Sequence, residues 1–218
     1  TSVACHIGSQ ISDENLILKS LDVINEIANN LSANGHAIKF LDIGGGLGIQ
    51  YKDEEEGDPK ILMAGVKNKL EGKEYKIILE PGRSIVGSAG ILVTRIEYIK
   101  NAGGKKFAII DAGMNDLIRP SLYEAWHEVK ELENREISSD TYDLAGPVCE
   151  TGDILAKDRN LKILPNDFVA FMDVGAYGSV MSSNYNSRLK PMELLVTGGE
   201  IEVIRRKETF EDLIALES

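Results

Sequence analysis

The chain has 218 residues, 43% of them hydrophobic and 27% charged, a balance that suits one large or two modest globular domains and argues against disorder. With 24 basic and 35 acidic side chains the net charge is −11, which disfavours nucleic acid and anionic membranes, since both require clustered Lys and Arg. Two distant cysteines, Cys5 and Cys149, suggest neither a disulfide framework nor a zinc site and fit a reducing, cytoplasmic setting, and three histidines argue against a His-rich metal site.

No run of about 18 apolar residues marks a membrane span. The opening residues Thr1–Gly8 lack the basic start and apolar run of a signal peptide and read as a strand already under way. Val3–Ile7 reads as a short buried strand ending at Gly8-Ser9. Leu16, Leu18, Leu21, Ile24, Ile27, Ala28 and Leu31 recur at three- and four-residue spacing, which predicts an amphipathic helix over Glu14–Ala33. Ile38–Ile43 is a second strand, running directly into glycines; Asp53–Asp58 is an acidic loop. Pro59–Leu70 is a helix with Pro at a tolerated first-turn position, and Tyr75–Leu79 a third strand. This alternation predicts βαβ units and a parallel sheet.

After about Gly90 the pattern changes. Ile91–Ile99, Phe107–Asp111, Thr141–Leu144, Asp167–Val174 and Met192–Ile204 read as short strands between turns, a mostly antiparallel β half. Residues 176–190 lack a strand pattern and read as a helix or loop. There is no internal repeat and no low-complexity tract.

Each of the first three strands ends in a polar or glycine-rich turn, and in α/β folds sites lie at the carboxyl ends of parallel strands. Gly44-Gly45-Gly46 within Asp42–Gly48 could aim backbone N–H groups at a phosphate, or could be a turn that needs glycine for steric reasons alone. The run lacks the spacing of a dinucleotide fingerprint and the Lys-Ser/Thr of a nucleotide P-loop. Glu80-Pro81-Gly82-Arg83 pairs a carboxylate suited to a protonated ring nitrogen with a guanidinium suited to a substrate carboxylate; alternatively it is a turn with an exposed ion pair. His6 and Ser9 stand at the end of the first strand, as cofactor contacts or structural residues. Arg119-Pro120-Ser121-Leu122-Tyr123 combines a cation and a phenol, or is an ordinary turn. Cys149 beside Glu150 is a thiol able to donate a proton, or a small buried side chain. Tyr177, between Ala176 and Gly178, could reach a phosphate or pack in the core.

These motifs occur together and in one order: His6-Ile7-Gly8-Ser9-Gln10, Gly44–Gly48, Glu80–Arg83, Arg119–Tyr123, Cys149-Glu150 and Ala176–Gly178. The series resembles the pyridoxal-phosphate-dependent decarboxylases of alanine-racemase-like fold, and among them the diaminopimelate decarboxylases. Each motif is weak, and six in register are specific. The resemblance implies a partial (β/α)8 barrel over residues 1–90, followed by a mostly antiparallel β-sandwich or β-barrel domain over 91–218. In that reading residues 176–190 return to the active site, and a homodimer shares its sites between subunits.

The implied cofactor is pyridoxal phosphate. Its phosphate would lie on Gly44, Gly45 and Gly46 with help from Gly82, the neighbours of Arg83, and Tyr177. His6 would stack on the ring, Ser9 would lie beside it, and Glu80 would hold its nitrogen protonated. Arg83, Arg119, Tyr123 and Tyr177 would contact substrate, Glu150 would accept a distal ammonium, and Cys149 from the partner subunit would return a proton after CO2 leaves. The implied reaction converts meso-diaminopimelate to L-lysine, the last step of lysine biosynthesis. Ornithine, arginine or carboxynorspermidine decarboxylation is the alternative within the family; ornithine enzymes tend to carry Asp after the cysteine, where Glu150 stands here. A non-catalytic binding protein of the same fold is the other. The family tethers the cofactor on a lysine before the His-Ile-Gly-Ser segment, whereas the first lysine here is Lys19, in the predicted helix. The chain is therefore expected to be the C-terminal part of the enzyme, with about three of the eight barrel strands, and to be inactive alone.

Overall fold

The computed structural model describes residues 1–217. The chain divides into two compact units, Thr1–Gly90 and the remainder from Ile91. In the first unit β1 (Ser2–Ala4), β2 (Phe40–Asp42) and β3 (Lys76–Ile78) form a parallel sheet in that order, with Val3 opposite Leu41 and Leu41 opposite Ile77. All three are shorter than their sequence patterns suggest. Beyond the ladder the Cys5 N–H still donates to the Asp42 carbonyl at 3.0 Å and the Ile43 N–H to the Ile78 carbonyl at 3.1 Å before the loops begin.

Helix α1 (Glu14–Ala33) starts at Asp13, whose carboxylate accepts the Asn15 N–H at 2.9 Å, and α2 (Pro59–Lys69) starts at Asp58, which accepts the Lys60 N–H at 2.7 Å. Ile17, Leu21, Ile24 and Ala28 form one buried stripe of α1 and pack with Leu41, Ile43, Leu62 and Val66. Each such aliphatic side chain contributes roughly 1.5–3 kcal/mol on burial. Strand side chains alternate faces, so Val3, Leu41 and Ile77 join this core while Ala4 and Ile78, pointing the other way, stay exposed. A short helix α3 (Arg83–Val86) and a 3₁₀ turn (Gly87–Ala89) follow β3.

The second unit contains β4 (Leu92–Ala102), β5 (Lys105–Ile110), α4 (Arg119–Tyr123), β6 (Val129–Glu131), β7 (Asp140–Ala145), β8 (Ile154–Leu161) and β9 (Phe168–Phe171). Its six-stranded sheet runs β6-β9-β4-β5-β7-β8. Every neighbouring pair is antiparallel except β5 and β7, which run parallel because the long excursion through α4 and β6 carries the chain back to the same end. The outer strands approach each other, and the Lys162 N–H after β8 donates to Glu131 of β6 at 2.8 Å, so the mixed sheet nearly closes. Ile96, Ile110, Leu117, Leu144, Leu155, Val169 and Phe171 fill its interior.

Two glycine pairs change the expected strands. Gly103-Gly104 have φ of 59° and 79°, the geometry of a two-residue hairpin, which lets β4 and β5 extend to Ala102 and from Lys105. Gly198-Gly199, at 59° and 90°, split the expected strand Met192–Ile204 into a hairpin of β10 (Glu193–Thr197) and β11 (Glu200–Arg205), which precedes the short helix α5 (Phe210–Leu213). Strand β8 is not among the expected elements, because Lys157-Asp158-Arg159 interrupts its apolar alternation; Asp158 takes φ 53° and its N–H donates to Asp143 at 2.8 Å. Residues 176–190 form a loop with two 3₁₀ turns, Ser179–Met181 and Tyr185–Ser187. Among the described residues no helix is long and apolar enough to cross a membrane.

Asp167, ahead of β9, is buried; it accepts from the Arg135 guanidinium and from the Leu164 N–H at 2.8 Å. Burial raises its pKa, but these partners outweigh burial and hold it below the usual carboxylate range. A lowered folded-state pKa adds stability above the unfolded value that disappears as pH falls through the folded one. Arg135→Ala should therefore destabilise most at neutral pH, with the difference from the parent fading below roughly pH 4, as read by urea unfolding across pH. Phe171→Ala should cost about 3–5 kcal/mol in the same measurement, since Phe171 is the largest of the fully buried side chains and its loss leaves a cavity inside the sheet.

Candidate active site

Because β1, β2 and β3 are parallel, the loops that follow them meet at one edge. Backbone hydrogen bonds join these loops directly. The Glu80 N–H donates to the Gly44 carbonyl at 2.8 Å, the Ile11 N–H to the Gly46 carbonyl at 2.8 Å, and the Cys5 N–H to the Asp42 carbonyl at 3.0 Å. A Cβ on Gly45 would overlap the Glu80 carbonyl oxygen, one on Gly46 the Gly8 carbonyl, and one on Gly44 would stand 2.6 Å from the Cys5 carbonyl. The steric reading of these glycines is therefore true of each. The Gly44 N–H donates to Asp42 Oδ1 at 2.9 Å, and the Gly45 N–H to His6 Nδ1 at 3.4 Å, which seats the imidazole on the loop.

Arg83 opens α3 with Gly82 as its N-cap. Its Nη1 donates to the Tyr51 hydroxyl at 2.7 Å and its Nη2 to Ser9 Oγ at 3.1 Å, with the guanidinium 5.6 Å from the Tyr51 ring centre. So His6, Ser9, Gly44, Gly45, Gly46, Glu80, Gly82 and Arg83 are assembled at one edge, with Glu80 and His6 exposed there. Sequence reading missed Tyr51, a buried phenol five residues beyond the glycine run; an aromatic that close to a ligand loop was the available signal. A side-chain-free loop beside an imidazole, a carboxylate and a cation suits a flat, anionic, nitrogen-containing cofactor. Among the described residues no cluster of metal-ligating side chains occurs.

In the second unit, the loop between β7 and β8 carries Cys149 and Glu150, both exposed. The Tyr185 hydroxyl donates to Glu150 Oε1, and this bond raises the phenol's pKa above its usual value. Asn186 Nδ2 lies 3.8 Å from Cys149 Sγ. Tyr185 and Asn186 belong to the loop expected to return to the site; sequence reading singles out neither, because only proximity to Cys149 and Glu150 distinguishes them. Helix α4 joins the same loop through Ser121 Oγ, which donates to the Gly152 carbonyl.

Arg119, the first residue of α4, is 6% exposed and its Nη1 lies 2.8 Å from His127 Nε2. His127 Nδ1 lies 2.8 Å from the Met172 carbonyl. A carbonyl only accepts and a guanidinium only donates, so His127 is neutral, with its proton on Nδ1. Arg159, stacked 4.4 Å from the Trp126 ring centre, donates to the His127 carbonyl at 3.1 Å. Sequence reading also missed His127, since nothing local separates it from a structural histidine. Tyr123, at the other end of α4, is 63% accessible, and Tyr177 takes φ 62° in the turn after β9.

The family model for the C-terminal sheet domain of pyridoxal-dependent decarboxylases matches residues 11–175. Diaminopimelate decarboxylase of Pseudomonas aeruginosa is 46% identical over 99% of this chain, and that of Aquifex aeolicus 45% over 97%. The chain spans about half the length of these relatives, 52% and 51%. The crystal structure of diaminopimelate decarboxylase from Helicobacter pylori complexed with L-lysine is 45% identical with a TM-score of 0.93, over 99% of this chain and 54% of that one. Lysine/ornithine decarboxylase from Vibrio vulnificus, at 23% identity and TM-score 0.75 over 84% of this chain and 51% of that one, shares the fold. With the family model covering most of its length and the two diaminopimelate decarboxylases aligned over 97–99% of it, the chain belongs to the family of pyridoxal-dependent decarboxylases.

Proposed function

We propose that the full-length protein decarboxylates meso-diaminopimelate to L-lysine and CO2 with pyridoxal phosphate. The observation that carries this reading is the edge shared by β1, β2 and β3, where backbone bonds join the glycine loop to Glu80 and side-chain bonds seat His6 on Gly45 and Arg83 on Ser9 and Tyr51. Relatives 43–46% identical over nearly the whole chain bear the name diaminopimelate decarboxylase, which favours that substrate over ornithine or arginine. The likeness to lysine/ornithine decarboxylase concerns the fold alone.

The residues fit the cofactor. The Gly44–Gly46 loop has no side chain between its backbone and a phosphate, and with Tyr177 and the Gly82 turn it would hold that group. Ser9 would sit beside the cofactor, His6 would stack on the ring, and Glu80 would keep the ring nitrogen protonated. Bound pyridoxal phosphate supplies the electron sink that makes loss of CO2 possible. The chain's own groups do the rest. Arg83, braced by Tyr51 and Ser9, and Arg119, braced by His127, would bind substrate carboxylates together with Tyr123 and Tyr177. Glu150, oriented by Tyr185, would accept the distal ammonium. The Cys149 Sγ proton would go to the carbon that lost CO2.

We further propose that the first unit is part of a (β/α)8 barrel and that Cys149 and Glu150 serve the site of a homodimer partner, in the cytoplasm. The exposed sheet face at Ala4 and Ile78 supports the barrel, because parallel sheets are ordinarily covered on both faces. The tethering lysine would then stand on a strand outside this chain, consistent with the half-length match.

Carbon dioxide release by the full-length enzyme from diaminopimelate, ornithine, arginine and carboxynorspermidine should favour diaminopimelate by at least about 10²-fold in kcat/KM. A preference for ornithine would sink the substrate assignment. Cys149→Ala should lower kcat about 10²- to 10⁴-fold with little change in KM. Gly45→Ala should lower cofactor occupancy, read by absorbance of the purified protein, because its methyl group meets the Glu80 carbonyl and forces the loop to shift.

A further inference from the structure

The loop that carries Cys149 and Glu150 is closed at its neck by one residue. The Gly146 N–H donates to the Asp153 carbonyl at 2.9 Å, and the Asp153 N–H donates to the Glu150 carbonyl at 3.1 Å. The Asp153 side chain turns into the loop and is 2% exposed. Its Oδ2 accepts the Val148 N–H at 2.6 Å, immediately before Cys149, and its Oδ1 accepts the Met114 N–H at 2.6 Å, in the turn after β5.

The surroundings are built for that carboxylate. A Cβ on Gly146 would stand 2.5 Å from Asp153 Oδ1 and closer still to Oδ2, so only glycine leaves room. The Met114 turn is itself fastened: the Gly113 N–H donates to Asp116 Oδ2 at 2.9 Å, and Arg188 Nε donates to Asn115 Oδ1 at 2.8 Å. Burying a carboxylate is costly, and burial raises the Asp153 pKa against the pull of the Val148 and Met114 amides. An asparagine would offer one acceptor and turn an NH2 group toward the other N–H. A carboxylate is the side chain of this length that accepts from both.

We propose that Asp153 is a positioning residue, which sets Cys149 and Glu150 by bonding the loop that carries them to the fixed turn after β5. This rests on the roles given above to Cys149 and Glu150. The test uses full-length holoenzyme carrying Asp153→Asn, Asp153→Ala, Gly146→Ala or Cys149→Ala, with circular dichroism to verify folding. Iodoacetamide alkylation, resolved by mass spectrometry, follows Cys149 with Cys5 as the internal control. Asp153→Asn, the isosteric variant, decides the outcome if Asp153→Ala does not fold. Alkylation of Cys149 should change at least about threefold in the Asp153 and Gly146 variants while Cys5 stays constant. The value of kcat should fall on the order of 10²-fold in Asp153→Ala and Gly146→Ala, and less in Asp153→Asn, with KM changing far less. Unchanged Cys149 alkylation in folded Asp153→Asn and Gly146→Ala overturns the proposal. Full activity in Cys149→Ala would instead refute the role of Cys149, leaving the alkylation result to judge the clamp.

Discussion

The backbone-to-backbone contact of Gly44, Gly45 and Gly46 with the turns after β1 and β3 is the constraint on which the first unit's site depends. Carbonyl oxygens of Cys5, Gly8 and Glu80 occupy the volume where side chains would otherwise stand. That closeness lets the Glu80 N–H reach Gly44 and the Ile11 N–H reach Gly46, so three loops from three strands behave as one surface. Glu80 then takes its position from the backbone beneath it, while the His6 imidazole accepts the Gly45 N–H and the Ser9 hydroxyl accepts from Arg83. The two helices act at a distance. By burying Ile17, Leu21 and Ile24 of α1 and Leu62 and Val66 of α2 in one cluster with Leu41 they fix the sheet whose ends these loops extend.

The second unit solves a related problem by a different route. Its chemically useful groups stand on an irregular loop and a short helix, where no ladder holds them. Buried polar side chains hold them instead, with His127 between Arg119 and Met172, Asp153 between Val148 and Met114, and Asp116 and Arg188 around Asn115. Each buried donor or acceptor in this set has a partner of the opposite kind, which is what makes burial tolerable. A neutral His127 holds Arg119 without adding a negative charge beside it, whereas a carboxylate in its place would compete with an anionic ligand. Asp116, whose pKa burial raises, remains tied to the Gly113 amide and the Asn115 side chain.

What could be read from the chain alone followed from local physics. The 3.6-residue spacing in Glu14–Ala33 and the Asp-Pro start of α2 specify helices wherever they occur, and glycines directly after Ile43 imply a sharp turn or an approaching backbone. The motif series His6 to Tyr177 was legible for the same reason, since chemistry constrains residue type at each position. Strand lengths were less legible: the hairpin at Gly198-Gly199 carries a sequence signal, but β8 is apolar only in part and is held by pairing with β7.

The sequence by itself determined α1 and α2, the strand–helix alternation of the first unit, the glycine loop and the residue types of the candidate groups, because each is read from neighbours within a few residues; α3, α4 and α5 were not among the expected elements. Only the tertiary structure decided that β5 and β7 pair in parallel, that the sheet nearly closes, and that Tyr51 braces Arg83, His127 holds Arg119, Tyr185 meets Glu150 and Asp153 fastens the Cys149 loop. The side chains in these contacts meet partners from 5 to 39 residues away in the chain. Their meeting depends on which surfaces pack and which buried groups find a donor or acceptor, a property of the folded whole that no local pattern encodes.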